Sequence, residues 1–157
     1  MRRPLTTQPR RSAGFTMIEV LVALLVFSVG VLGLVGIQAT ATRMAGDARD
    51  KAVATFLADQ ILARMMISDP ATAASFAHQA TGTTPCNPSG AASTNATVTG
   101  WLNEVALQLP KAVSTQQQVV VVVSATGPPQ VTVRLCWQNG EESPRSLTVS
   151  NQVQWQL

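Results

Sequence analysis

Four side chains stand out for the chemistry their types could support. Glu19 is the one charged residue in FTMIEVLVALLVFSVGVLGLVGI, residues 15–37. An acid at the centre of a membrane helix costs about 3 kcal/mol and usually marks a functional pairing, so Glu19 calls for a partner, unless it snorkels to the headgroups from near the helix end. His78 is the only histidine, and no acid or nucleophile stands near it at a catalytic spacing, so it reads as a surface residue. Cys86 and Cys136 have no CxxC partner and no neighbouring His pair, which argues against zinc. A disulfide between them in an oxidising compartment is the expected reading, with two unpaired buried thiols as the alternative. The other carboxylates are scattered, and the sequence contains no GxSxG, HExxH, P-loop or dinucleotide fingerprint. The chain therefore reads as a non-enzyme without metal or organic cofactor.

The chain that must position Glu19 has 157 residues, room for one core and an appendage. Its formal charge of +3 is deceptive, because Arg2, Arg3, Arg10 and Arg11 supply four of eleven cations and all precede the first acid. Beyond Gly14, seven Lys/Arg face eight Asp/Glu, a net of −1, which leaves no basic surface for nucleic acid. Charged residues make up 12% of the sequence and Tyr is absent. That suits subunit packing or a membrane, but an Ala/Val/Thr/Gln-rich domain from a high-GC background gives the same composition.

As a helix, residues 15–37 span roughly 34 Å, enough to cross a hydrocarbon core. Four arginines before them against Arg43, Arg49 and Lys51 after them favour a cytoplasmic N-terminus. A secretory signal is the first competitor, since Ala39-Thr40-Ala41 offers an A-x-A site, but its apolar region is normally shorter and lacks an acid at its start. A twin-arginine signal is the second. Ser12-Ala13-Gly14 after Arg10-Arg11 and the strongly apolar run speak against it.

The order of residues, a basic leader, then Gly14, Phe15, Thr16, Glu19 and an unbroken apolar helix, resembles the class III signal of type IV prepilins. The resemblance implies that a membrane-embedded prepilin peptidase cuts between Gly14 and Phe15 on the cytoplasmic side and methylates the new amine of Phe15. It also implies that Glu19 pairs with the N-terminus of a neighbouring subunit on assembly, so that two costly charges compensate each other. A small Gly14 suits close backbone approach in a protease cleft. Residues 12–70, including GFTMIEVLVALLVFSVGVLGLVGIQATATR and ADQILARMMISDP, are similar to the PilV-type minor pilins, the pilus modification proteins. Implied partners are the prepilin peptidase, other minor and major pilins, and the assembly platform of the inner membrane. The implied location is the inner membrane with a periplasmic head, then the assembled pilus. A pseudopilin of type II secretion shares the leader and EVLVAL, and a membrane-anchored periplasmic binding domain that never polymerises is the rival of another class.

The expected architecture is α+β and pilin-like: a long N-terminal helix whose first half spans the membrane, then a small antiparallel sheet. Residues 1–14 form the leader, 15–37 the spanning half, 38–69 the continuation of the helix and 70–157 the head. Asp47 and Lys51 offer an i,i+4 ion pair. Ala41, Ala45, Ala48 and Ala52 line an early face, whereas Leu57, Ile61, Leu62 and Met65 cluster on a later one suited to pack beneath the head. Gly30, Gly33 and Gly36 mark the helix's weakest section, for close packing or for local unwinding. Residues 69–100 read as a long loop with a short helix near 73–78. Trp101, Leu102, Val105 and Leu109 trace a helix closed by Pro110 and laid on the sheet. Strands are expected at 118–124, 131–137 and 147–155, as an antiparallel meander with a turn at Asn139-Gly140. The five valines 119–123 suggest a central strand buried on both faces.

Overall fold

The computed structural model describes residues 14–123 and 127–154. The leader up to Ala13, and the expected strand ends at Ser124 and Trp155, lie outside the described residues. The chain is α+β: a long apolar N-terminal helix followed by a small three-stranded antiparallel sheet, a pilin-like layout. It divides into two compact units between Ala45 and Gly46.

In the first unit α1 (Met17–Met66 over its whole length) carries the apolar run, and no residue of it is buried up to Ala45. Its hydroxyls are satisfied within the helix, as an apolar surrounding demands. Ser28 Oγ donates to the Leu24 carbonyl at 2.7 Å and Thr40 Oγ1 to the Gly36 carbonyl at 3.2 Å. The helix runs unbroken through Gly30, Gly33 and Gly36.

In the second unit the later turns of α1 bury Ala54, Leu57, Ala58, Ile61, Leu62 and Met65, the i, i+3, i+4 spacing of one face. A short 3-10 helix, Pro70–Phe76, follows, with Asp69 Oδ1 accepting from Ala71 N–H at 2.9 Å. Asn95 likewise caps α2 (Ala96–Gln108). The strands are β1 (Gln118–Val122), β2 (Gln130–Trp137) and β3 (Arg145–Gln152), in the order β1-β2-β3. The inner face of the sheet presents Val119, Val131, Val133, Leu135 and Trp137 to the core shared with α1 and α2.

One expectation of this region is corrected. β1 is an edge strand rather than the central one, with Val122 56% and Val123 63% exposed. The centre belongs to β2, whose inward valines alternate with outward Thr132 and Arg134, because its second face is polar and only half covered. Helix α2 shares the core with the sheet and is also tied directly to α1. Trp101 Nε1 donates to the Leu57 carbonyl at 2.8 Å, and Arg64 pairs with Glu104 at 2.8 Å.

Candidate functional site

Gly14, Phe15 and Thr16 precede the first residue of α1 and are not helical. Phe15 is 82% exposed, and a Cβ built on Gly14 meets no atom within 4 Å. The helix starts on Thr16. Its carbonyl accepts from Glu19 N–H at 3.1 Å and from Val20 N–H at 3.3 Å, while its Oγ1 also accepts from Glu19 N–H at 3.3 Å. Thr16-x-x-Glu19 is thus a capping-box sequence with the acid at the third helical position, a signal present in the sequence that the sequence reading above did not use. Glu19 lies in the first turn, where the unpaired N–H groups and the dipole favour a negative charge. It lies beside Phe15 and shares a surface with Val20, Ala23, Leu24 and Phe27 of the helix.

The head contains the other residues singled out above. Cys86 and Cys136 are joined, with their Cα atoms 5.5 Å apart and a separation of 50 positions in sequence. His78 is buried, which corrects the surface reading: its main chain bridges to Val119 on the free edge of β1. Its Nδ1 accepts from Ser93 N–H at 3.1 Å and its Nε2 lies 2.9 Å from the Ser114 carbonyl. A neutral ring protonated at Nε2 satisfies both contacts. The role is structural, fixing the start of the loop that runs back over the sheet.

That loop is held by buried amides that sequence reasoning missed. Gln118 Nε2 faces the carbonyls of Gln79, Thr81 and Gly82 at 2.9–3.1 Å. The Gln117 side chain serves Cys136 as a strand would, accepting from its N–H at 2.8 Å and donating to its carbonyl at 3.0 Å. No sequence pattern marks such glutamines, because their partners are main-chain groups distant in the chain.

Electrostatics in the head centre on Asp47, which pairs with Arg145 rather than chiefly with Lys51. The Arg145 hydrogen bond holds its carboxyl below the usual carboxylate range, against desolvation; Asn139 adds a weaker pull, and Lys51 contributes only at a distance. Arg145 is raised in turn by hydrogen bonds to Asp47 and Glu142. The Arg64 hydrogen bond likewise lowers Glu104. Turn residue Asn139 donates to Asp50 at 2.8 Å, so the β2–β3 turn is fastened to α1 at two carboxylates. Among the described residues, no three His, Cys, Asp or Glu side chains gather where they could hold a metal ion.

Residues 9–35 match the prokaryotic N-terminal methylation motif. The match brings Gly14, Phe15, Thr16 and Glu19 into one recognised segment at the head of α1. The chain is type IV prepilin-like. Searches of curated proteins and of solved structures gave no match. For a prepilin-like chain, the motif implies processing by a prepilin peptidase and assembly with pilins, a role that is typically structural. The exposed apolar turns of α1, long enough to cross a bilayer, fit membrane anchoring of the prepilin-like chain before it enters a pilus.

Proposed function

We propose that the chain is a minor pilin of the PilV type, made as an inner-membrane precursor and incorporated with other minor pilins to initiate or modify a type IV pilus. Residues 1–14 are the leader. Residues 15–37 cross the membrane, 38–69 continue the helix, and 70–157 supply the head on the periplasmic side. The peptidase hydrolyses the Gly14–Phe15 bond and methylates the Phe15 amine. Glu19 then pairs with the N-terminal amine of a neighbouring subunit, which compensates two charges that are each costly in lipid. The Cys86–Cys136 bond suits the oxidising compartment of the head.

The observation that carries this reading is the methylation motif ending inside an exposed apolar helix that starts three residues after Gly14. Mass spectrometry of the mature chain from cell envelopes tests it. The expected N-terminus is methylated Phe15. A chain beginning after Ala41, or one still carrying Met1–Gly14, contradicts it.

A further inference from the structure

Cleavage between Gly14 and Phe15 requires that bond to be available to an enzyme, and the start of α1 supplies a device that keeps it so. We propose that Thr16 is a positioning residue for leader removal: by ending the helix on itself, it keeps the Gly14–Phe15 peptide outside the helical hydrogen-bond ladder. The proposal rests on the processing reading and adds to it.

Hydrolysis of this bond adds water across the amide, leaving a Gly14 carboxylate and a Phe15 amine. A protease must reach the Gly14 carbonyl carbon and commonly holds the flanking main chain extended, through its own N–H and C=O groups. If α1 began one turn earlier, the Gly14 carbonyl would accept from Ile18 N–H and the Phe15 carbonyl from Glu19 N–H, as i→i−4 geometry requires. Both carbonyls flanking the scissile bond would then be engaged inside a helix. A bilayer pushes in that direction, since every main-chain group without water gains by joining the ladder.

Thr16 opposes this at one specific donor. Glu19 N–H, the group that would close on the Phe15 carbonyl, is instead shared by the carbonyl and the Oγ1 of Thr16, at 3.1 and 3.3 Å. Val20 N–H takes the Thr16 carbonyl as well, at 3.3 Å. Gly14 contributes from the other side, being a poor helix residue with open space around it. Two residues, three and five positions before the acid, thereby set where the helix stops and where an enzyme can start.

The test uses the full-length precursor in lipid vesicles with a prepilin peptidase, and measures cleavage rates for Thr16→Ala, Thr16→Ser and Thr16→Asn. Thr16→Ala removes the capping oxygen and favours helix; it is expected to lower kcat/KM about fivefold, the size of a lost N-cap. The loss is expected in KM with kcat retained, because only the fraction of competent precursor falls. Ser keeps the hydroxyl and Asn supplies another capping oxygen, so both are expected to stay within about twofold of the wild-type rate. Thr16→Ala cut as fast as wild type, or Ser and Asn as slow as Ala, overturns the proposal while leaving the processing reading intact. A wild-type chain that is not cut between Gly14 and Phe15 overturns both.

Discussion

At the scale of single residues, the chemistry of this chain concentrates at Glu19, and its setting explains why an acid is tolerated there. Its position in the first turn of α1 places the carboxylate against the positive end of the helix. That eases the burial of the charge only in part, because the same surface carries Phe15, Leu24 and Phe27. A cation from another chain would complete the compensation, which ties the remaining cost to assembly rather than to insertion. Glu19→Val is therefore expected to insert into the membrane at least as well as wild type, and to be reduced by an order of magnitude or more in sheared fibres, ~1.4 kcal/mol or more of lost pairing. Quantitative blotting of the membrane and fibre fractions measures both at once. Equal recovery of mutant and wild type in the fibres removes the pairing role.

At the scale of elements, what could be read from the sequence was what local spacing encodes. The i, i+3, i+4 pattern of Leu57, Ile61, Leu62 and Met65 identified the buried face of α1, and Asn139-Gly140 marked the β2–β3 turn, where Gly140 takes a φ of 59°. Strand order was not encoded in this way. A run of five valines looks the same whether it has two neighbouring strands or one, and only the register shows that β2 is the one strand beside β1, whose other edge carries just the His78 bridge among the described residues. Likewise His78 and Gln118 gave no sign of burial, since each is satisfied by main-chain groups between 15 and 39 residues away. The candidate site was more legible than the head, because the proposed cleavage point, the cap and the acid fall within six consecutive residues covered by one motif. The corrected strand order makes a prediction of its own. Val122→Lys, on the exposed end of the edge strand, is expected to change stability by about 0.5 kcal/mol or less. Leu135→Ala in the buried centre of β2 is expected to cost about 2–5 kcal/mol. Guanidinium unfolding of the full chain in detergent, followed by tryptophan fluorescence, compares them. A Val122→Lys loss as large as that of Leu135→Ala would return β1 to the centre of the sheet.

At the scale of the whole molecule, the head carries a long loop with little buried apolar content to hold it. From Pro70 to Asn103 the sequence has no Asp, Glu, Lys or Arg, and the stretch 80–91 has no buried residue. The segment instead depends on point attachments: the His78–Val119 bridge, the Gln118 amide, Arg134 reaching the Thr83 carbonyl at 3.3 Å, and the Cys86–Cys136 bond. Cys136 sits on the face of β2 opposite Leu135 and Trp137, so the bond draws the loop across the sheet's outer surface rather than into the core. Cys86 holds a φ of 58°, a conformation that favours glycine, and the surrounding attachments must sustain it. Closing 50 residues of chain stabilises by about 4 kcal/mol in the chain-entropy model, a large share of what so small a head can muster. Cys86→Ser is accordingly expected to lower the unfolding midpoint of the head and to open residues 81–93 to protease, while leader removal at Gly14 proceeds at the wild-type rate. Limited proteolysis with mass mapping of the fragments locates the effect. Alkylation of unreduced, denatured protein from the envelope is the decisive control: an intact bond leaves no thiol to react, and two labelled cysteines per chain would show that the polar attachments hold the loop without it.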